Sequence, residues 1–475
     1  MEPGDQGGSD RVGGGSSVSR RAFLGSAVVA AGAALSATGI GSSPASGATR
    51  PTATAKRAGG VGSRPNPGAA AGTDQLPEFD HIVVVMMENH SFDNILGTLG
   101  RGDGFALGKG GKPKATNPDG QGNLVHAFHM PTPCQLQKQP AQSWDASHIQ
   151  YDNGTNQGFV TSPSGPVAMG YWTETDLPFT HGLAQTYPIA DRYFSSVLAQ
   201  TYPNRRYLMA GTSLGLINDT LPKGLPPNGT IFNSLNRHNI SWRNYYSSLP
   251  TAYIFIDQLS DPSITGNVVK IDQFFADCQA GTLPGFSLVD PDFDKSSQED
   301  PQDIQYGDEF LASVVNAVTS GPKWSKTLLV WTYDEHGGYY DHVAPPRAAI
   351  PDDIPPDITT TTAGPGALQP GNFGRYGFRV PSGLVSPYGK ADYVSHITYD
   401  HTSILKLVET KWNLPAMTRR DAAAANLLDM VDFSSKPHFL HPPKLPAPAD
   451  AAALAGCLTT GPGVIPPPSA ITPAK

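Results

Sequence analysis

Cysteine is scarce in this sequence of 475 residues. The three cysteines are Cys134, Cys278 and Cys457, and none belongs to a Cys-x-x-Cys motif. This spacing argues against a zinc–thiolate site. Three cysteines allow at most one disulfide within the chain. Cys134 with Cys278 is one pairing, and the sequence does not decide between the alternatives.

Long apolar runs and basic runs are also absent. No segment has about 18 consecutive apolar residues, so the sequence predicts no membrane-spanning helix. The formal net charge is −8, which argues against nucleic acid as a partner and against strong binding to anionic lipid. P-loop, Gly-x-Ser-x-Gly and His-Glu-x-x-His motifs are missing as well. The corresponding nucleotide-binding, serine-hydrolase and zinc-peptidase interpretations therefore lack their signatures.

The first 48 residues have the organisation of an export signal. Residues 19–24 read SRRAFL, an Ala/Gly/Val-rich stretch runs to about Ile40, and small residues precede a cleavage site near Ala48. This order is typical of a twin-arginine signal peptide. We therefore predict a secreted or cell-envelope protein whose precursor uses the twin-arginine export machinery. A flexible tail with a chance arginine pair is the alternative.

Composition divides the rest of the chain into three parts. Residues 49–76 are rich in Ala, Gly, Pro and Thr and are predicted to be a disordered linker. Residues 77–436 carry the periodic patterns of an ordered domain. Residues 437–475 are rich in Pro and Ala and are predicted to form a loosely packed C-terminal tail.

Buried strands and helices alternate in the ordered domain. Residues 82–87 and 327–333 are continuous apolar runs, typical of strands buried on both faces, and 285–289 is a weaker candidate. Apolar residues recur at helical spacing in 307–319 and 402–412. This alternation predicts an α/β fold, a three-layer α/β/α sandwich around a mostly parallel sheet.

Oxygen-bearing side chains follow both strong strand candidates. Glu88 and Asn89 follow the first, and Asp334 and Glu335 follow the second. In open α/β sheets, ligands bind at the carboxyl ends of the strands, so we expect these four side chains to meet. Such a site suits Ca²⁺, Mg²⁺ or Mn²⁺, and nearby histidines would also suit Zn²⁺ or Fe. The alternative is that each pair caps the helix after its strand.

A third segment, AQTYPNRRYLMAGT at 199–212, is predicted to open a helix. Pro203 fits the first helical turn, which would put Thr201 just before the helix N-terminus, where an anion such as phosphate is favoured. Beside a divalent cation the Thr201 hydroxyl would be able to ionise and attack phosphorus, and Arg205 to bind phosphate oxygens. The alternative is that Thr201 is an ordinary N-cap.

Five of the 13 histidines lie in three stretches that also contain acidic residues. They are His148 in SWDASH, His336 and His342 in DEHGGYYDHV, and His396 and His401 in SHITYDHTSI. Imidazoles near a phosphate site stabilise charge or protonate a leaving alcohol. A lone histidine is otherwise usually structural.

Five long motifs resemble the bacterial phosphoesterase family that includes the non-haemolytic phospholipases C and a group of acid phosphatases. The motifs are MMENHSFDNILGTL (86–99), DLPFTHGLAQTYPIADRYFSSVLAQTYPNRRYLMAGT (176–212), WSKTLLVWTYDEHGGYYDHVAPP (324–346), DHTSILKLVETKWNL (400–414) and TRRDAAAANLLDMVDF (418–433). The resemblance runs in unbroken order from about residue 79 to 433. It implies an alkaline-phosphatase-like fold and hydrolysis of phosphate esters through a covalent phosphoenzyme.

The resemblance also implies roles for individual residues. Metal ligands would be Glu88, Asn89, Asp334 and Glu335, with Thr201 as nucleophile. His148, His342 and His401 would bind the phosphoryl group or assist the leaving group, and Asn204, Arg205 and Asp300 would bind substrate. Two positions depart from the family pattern, because Gln142 and Asp300 stand where members often carry histidine.

The predicted function is an exported, metal-dependent phosphoesterase that forms a phosphothreonine. Its favoured activity is that of a phospholipase C, acting on the phosphodiester of a phospholipid head group. A phosphomonoesterase of the acid phosphatase type is one alternative. Because of Gln142 and Asp300, an inactive phosphate- or lipid-binding protein on the same scaffold is another.

Overall fold

The computed structural model describes residues 59–134, 140–358, 369–451 and, for the backbone alone, 471–473. The predicted signal peptide and the first part of the predicted linker lie outside the described residues. All described residues belong to one compact unit.

An eight-stranded sheet forms the centre of the fold. The strands of the protein are β1 (His81–Met87), β2 (Thr116–Pro118), β3 (Asn123–His126), β4 (Phe128–His129), β5 (Gly170–Tyr171), β6 (Ile189–Ala190), β7 (Trp242–Tyr246), β8 (Val268–Lys270), β9 (Phe286–Asp290), β10 (Thr327–Tyr333), β11 (Ser382–Val385), β12 (Val394–Ser395) and β13 (Ile471–Pro473). The order in the central sheet is β12-β6-β11-β10-β1-β9-β7-β8. Only the pairings of β11 with β10 and β6 are antiparallel. The predicted mostly parallel sheet is therefore confirmed.

Helices pack around this sheet in two groups. The α-helices are α1 (Phe92–Leu96), α2 (Trp144–Tyr151), α3 (Pro178–Thr186), α4 (Thr201–Ala210), α5 (Ile231–Arg237), α6 (Pro262–Thr265), α7 (Ile271–Ala280), α8 (Ile304–Ser320), α9 (His401–Trp412) and α10 (Arg419–Ala423). Helix α8 contacts α3, α7, β1 and β10, whereas α9 contacts α4 and α10. Within the described part of the chain, no helix is both long enough and apolar enough to cross a bilayer.

Strands β1 and β10 position the candidate site. They are parallel neighbours in register from His81 opposite Thr327 to Met87 opposite Tyr333. Every residue of β10 and all of β1 except His81 are buried, as the continuous apolar runs predicted. Because both strands end at the same level, the residues that follow them emerge side by side at one edge of the sheet.

The expected linker is packed against the domain over its described part. The Gly62 N–H donates to Ala416 O at 2.8 Å, and the Gly72 N–H donates to Trp412 O at 2.9 Å. Asn413, which ends α9 in a left-handed conformation, donates its side-chain amide to carbonyls of the 66–70 segment. Residues 59–76 are therefore not a free linker. Composition misses this because the partner groups lie more than 300 residues away in sequence.

The beginning of the expected tail is also packed. Phe439 is buried, and its ring centroid lies 4.5 Å from that of Tyr187. The Trp324 indole donates to Phe439 O at 2.9 Å. Further on, β13 pairs with β3. Phe439 is therefore an anchored residue, whereas most of residues 440–450 are exposed, and the loosely packed tail stays a prediction.

The cysteines do not form the pair suggested from the sequence. Cys134 is disulfide-bonded, whereas Cys278 is a free thiol buried in α7. Burial raises the pKa of Cys278 to about 12. The Cys134–Cys278 pairing is therefore wrong, and Cys278 is an unreactive apolar group in the core.

Candidate active site

Four oxygen-bearing side chains meet at the carboxyl ends of β1 and β10. Glu88, Asn89, Asp334 and Glu335 are all buried. Asn89 Oδ1 lies 2.8 Å from Glu335 Oε1 and 3.3 Å from Asp334 Oδ1. The Thr201 hydroxyl is 3.5 Å from the same Asn89 oxygen. The structure thus brings the predicted nucleophile and the predicted metal ligands together.

This arrangement of oxygens fits a divalent cation. The amide end of Asn89 contacts two carboxylates, which is favourable either with a cation among the oxygens or with the amide nitrogen facing the acids. Rotating the amide by 180° would let Nδ2 donate to both carboxylates instead. Burial, with the nearby Glu88 charge, raises the pKa of Asp334 to about 7 against the opposing charge of Arg205. Carboxylate, amide and hydroxyl oxygens together are the ligand set of a hard cation.

Neither pair of side chains caps a helix. The N-cap of α1 is Ser91, whose hydroxyl accepts the Asn94 N–H. After Asp334 and Glu335, the next α-helix in the described residues is α9. Instead, Glu335 accepts the Gly337 N–H at 2.7 Å in a tight turn. The capping alternative is therefore wrong for both pairs.

Thr201 is the first residue of α4 rather than the residue before it. The N-cap is Gln200, so the interpretation of Thr201 as an N-cap is wrong. Asp219 already occupies part of the helix N-terminus, since it accepts the Tyr202 N–H at 2.8 Å and the Gln200 amide at 2.9 Å. Thr201 is left with its hydroxyl directed at Asn89.

Arg205 lies behind the metal-ligand candidates and does not extend towards solvent. Its Nε donates to Asp334 Oδ2 at 2.9 Å, and its terminal nitrogens lie 3.6 Å from both Glu88 and Asp290. The side chain is 1% exposed. The structure therefore corrects the predicted role. Arg205 balances three buried carboxylates rather than holding phosphate oxygens.

Asn204 serves the loop that precedes Thr201. Its Oδ1 accepts the Val197 N–H at 3.0 Å, and its Nδ2 donates to Ala199 O at 2.7 Å and Gln200 O at 3.1 Å. The side chain is fully buried. Asn204 was predicted to bind substrate, but these bonds use both ends of its amide. It holds the loop that leads to Thr201, the predicted nucleophile.

The three predicted histidines are dispersed rather than gathered around Thr201. His401 Nε2 lies 2.6 Å from Asp334 O, and burial lowers the pKa of His401 to about 3. The neutral ring therefore supports the backbone of Asp334, a predicted metal ligand. His148 Nδ1 lies 2.7 Å from Trp144 O. His342 is paired with acids, as described below. Within the described residues, none of the three is hydrogen-bonded to Thr201.

Asp300 lies on a loop beside the start of the site. The loop is anchored where the Glu88 N–H donates to Ser297 O at 2.9 Å. Asp300 Oδ2 accepts the Tyr339 hydroxyl at 2.8 Å. Burial raises the pKa of Asp300 to about 8. Contrary to the predicted substrate contact, its carboxyl group faces Tyr339.

Asp290 is not among the predicted site residues. It ends β9, the other parallel neighbour of β1, and is fully buried. Its carboxylate accepts the Thr251 N–H at 2.8 Å and the Asn244 amide at 2.7 Å, and it lies beside Arg205. The signal was available, because Asp290 directly ends the weaker predicted strand, as Asp334 follows the strong one.

A second acidic cluster lies apart from the four metal-ligand candidates. Among the described residues, Asp93, Asp341 and His342 offer metal-ligand atoms within 4.8 Å of one another. However, Arg379 donates to Asp341 Oδ1 at 2.9 Å and to Asp93 Oδ1 at 3.1 Å, and His342 Nδ1 lies 2.7 Å from Asp93 Oδ2. A buried guanidinium already neutralises these acids, so the cluster is an ion-pair network.

This network makes a pH-dependent contribution to stability. Burial lowers the pKa of His342, but the hydrogen bond and charge of Asp93 outweigh it and raise the pKa to about 9. Asp341 favours the charged ring, Arg379 opposes it, and Asp103 lies 3.2 Å from Nε2. Because the pKa is higher in the folded than in the unfolded protein, the contribution is full below about pH 6.5 and is lost as the pH rises through about 9.

We therefore expect His342→Gln to lower the free energy of unfolding by about 1–2 kcal/mol at pH 6, after allowance for partial exposure, and by little at pH 10. Urea denaturation at the two pH values measures the difference. His396→Gln is the control, since its side chain is 71% exposed beside Asp191 and exposed pairs contribute little. An equal loss at both pH values would contradict the assignment.

The turn after Glu335 depends on glycine. Gly337 has φ +66°, and a Cβ there would lie 1.8 Å from the Asn89 carbonyl oxygen. We expect Gly337→Ala to destabilise the fold by about 3 kcal/mol or more and to abolish activity, because the clash separates Asn89 from Glu335. Gly165→Ala is the control, with φ +69° but open space around the Cβ. Similar unfolding free energies for the two variants would contradict this explanation.

Comparison with known proteins identifies the family. The sequence matches the phosphoesterase family over residues 79–415. This chain belongs to the phosphoesterase family. Its relatives include phospholipase C B of Mycobacterium tuberculosis, 30% identical over 447 residues and covering 80% of this chain and 84% of that protein. Non-specific phospholipase C1 of Arabidopsis thaliana is 32% identical over 404 residues, covering 77% and 73% respectively.

Solved structures that match this phosphoesterase are more distant. They include a member of the alkaline phosphatase superfamily from Vibrio parahaemolyticus, with a TM-score of 0.35 and 11% identity over 64% of this chain and 71% of that chain. The phosphonate monoester hydrolase of Agrobacterium radiobacter has a TM-score of 0.35 and 11% identity over 74% and 77%. The family match and the phospholipase C relatives establish this protein as a hydrolase of phosphoester bonds.

Proposed function

We propose that this phosphoesterase is a metal-dependent phospholipase C with Thr201 as its nucleophile. The Thr201 hydroxyl lies beside Asn89 and two carboxylates at the carboxyl ends of β1 and β10, and this arrangement is the main support for the proposal. The relatives named above support the substrate class, since both are phospholipases C.

Glu88, Asn89, Asp334 and Glu335 would hold the metal ion. A divalent cation supplies Lewis acidity there, which favours the ionised form of the neighbouring hydroxyl and neutralises charge on a phosphate ester. Arg205 keeps the carboxylates of Glu88 and Asp334 from repelling each other when the cation is absent. Asn204 orders the loop leading to the nucleophile, and His401 holds the carbonyl of Asp334.

The reaction takes place in two displacements at phosphorus. Thr201 Oγ1 attacks, the Oγ1–P bond forms, and the bond from phosphorus to the glycerol oxygen breaks. The hydroxyl proton passes to solvent, since no histidine is hydrogen-bonded to Thr201 in the described structure, and the departing diacylglycerol oxygen takes a proton from water. Water then attacks the phosphothreonine, the P–Oγ1 bond breaks, Thr201 regains its proton, and the phosphorylated head group leaves.

We also propose export of the precursor by the twin-arginine pathway, on the strength of the arginine pair in residues 19–24. Replacing Arg20 and Arg21 with lysine should retain the precursor in the cytoplasm, as cell fractionation would reveal. An unchanged mature fraction outside the cytoplasm would refute this route.

The activity is tested by comparing p-nitrophenyl phosphate with p-nitrophenylphosphorylcholine, after metal removal and addition of Mg²⁺, Ca²⁺, Mn²⁺, Zn²⁺ or Fe²⁺ in turn. We expect preference for the choline diester, restored by one or more of these ions, and release of diacylglycerol from phosphatidylcholine vesicles. Preference for the monoester would make the enzyme a phosphatase. No turnover with any ion would favour a binding protein. Full activity after metal removal would overturn the metal dependence.

A further inference from the structure

Two arginines face each other across a short antiparallel ribbon. Arg347 is the bridge partner of Arg375. The flanking residues provide the hydrogen bonds, with the Ala348 N–H donating to Gly374 O at 2.9 Å and the Tyr376 N–H donating to Pro346 O at 3.2 Å. The two arginines are therefore a non-hydrogen-bonded pair, the arrangement in which facing side chains lie closest, on the same side of the ribbon.

Both arginines line one polar cleft of about 640 Å³. The Arg375 guanidinium lies over the Tyr151 ring at 4.5 Å and donates to Pro345 O at 2.6 Å. Amide side chains contribute further donors to the lining, namely those of Asn153, Gln157, Gln369 and Asn372. The acid in the lining is Asp152, and its Oδ2 accepts the Thr155 hydroxyl at 2.5 Å.

The charges of this pair are not balanced by the described protein. Like charges directly opposite each other on neighbouring strands are destabilising. Among the described residues, no carboxylate lies within 4.0 Å of either guanidinium. Arg347 is exposed and Arg375 is partly buried, whereas the fully buried Arg205 and Arg379 each bind carboxylates. An oxyanion between Arg347 and Arg375 would remove the repulsion and accept hydrogen bonds from both guanidinium groups.

We propose that this cleft is a second site, which binds a phosphate-type oxyanion between Arg347 and Arg375. Leu198 belongs to its lining and precedes Thr201 by three residues, but neither Thr201 nor a proposed metal ligand does. His148 also lines the cleft, and burial lowers the pKa of its ring. The same chemistry serves a free phosphate ester or the phosphate of an anionic lipid head group.

The experiment measures binding to metal-free enzyme, so that it does not depend on turnover or on the proposed function. The probes are inorganic phosphate, followed by calorimetry, and sedimenting vesicles of phosphatidylcholine with or without phosphatidylglycerol. The test variant is Arg347→Gln with Arg375→Gln. The charge-matched control is Lys223→Gln with Arg237→Gln, two exposed residues outside the cleft. Arg347→Lys with Arg375→Lys keeps the charges and guards against misfolding.

We expect the glutamine variant to lose at least roughly tenfold in affinity for one probe, while the control binds as the wild type does and the lysine variant retains part of the affinity. A loss confined to phosphate identifies a soluble ligand, and a loss confined to vesicles that contain phosphatidylglycerol identifies a lipid. Absent binding, or equal binding of both probes by wild type, test variant and control, overturns the proposal.

Discussion

Replacing Thr201 with alanine is expected to lower kcat by about 10⁴-fold or more, because it removes the oxygen proposed to attack phosphorus. The hydroxyl lies 3.5 Å from the Asn89 side chain, and the α4 backbone does not depend on it, since Gln200 is the N-cap. The melting temperature should therefore change by only a few degrees. Hydrolysis of p-nitrophenylphosphorylcholine and thermal unfolding measure the two quantities.

Thr201→Ser is the matched variant for this experiment. It keeps the hydroxyl and loses only a methyl group, so we expect it to retain activity within about tenfold of the wild type. A phosphorylated residue should be trapped at position 201 in the serine variant and in the wild type but not in the alanine variant. Substantial turnover by Thr201→Ala, or label on another residue, would exclude the proposed nucleophile.

Replacing Arg205 with methionine is expected to lower the free energy of unfolding by about 3–5 kcal/mol. The change removes the only cation that the described structure places against Glu88, Asp290 and Asp334 together. Divalent cations should restore part of the lost stability, since they neutralise the same carboxylates. Urea denaturation with and without the activating ion, followed for wild type and variant, measures both effects.

Arg206→Met is the control for a buried arginine in the same helix. Arg206 donates to the carbonyls of Asn218 and Thr220 rather than to carboxylates, so its loss should cost about 1–3 kcal/mol and should not be relieved by metal. If Arg205→Met instead kept full stability and raised KM alone, Arg205 would be a substrate ligand, as its sequence position first indicated.

Packing behind the site explains why several roles predicted from residue type and spacing differ from the contacts in the structure. Arg205, Asn204 and Pro203 form one motif in sequence, but α4 buries both polar side chains of that motif. Buried charge requires a partner, and the available partners were acids at the ends of three strands. His148, His342 and His401 each lie near an acidic residue in sequence, but each ring is hydrogen-bonded to a different group. For His342 and His401 that group lies far away in the sequence.

Local sequence patterns predicted the strands β1 and β10 and the mostly parallel sheet, and the structure confirms them. The same patterns predicted that Glu88, Asn89, Asp334 and Glu335 emerge at one edge of that sheet. Those features follow from local hydrophobic runs and from the common direction of parallel strands. The inward orientation of Arg205 and the pairing of Arg347 with Arg375 across a short antiparallel ribbon are visible in the folded structure alone. Both features depend on contacts between segments that lie far apart in the chain. Burial and charge balance select the partners in such contacts, and the local sequence pattern does not predict them.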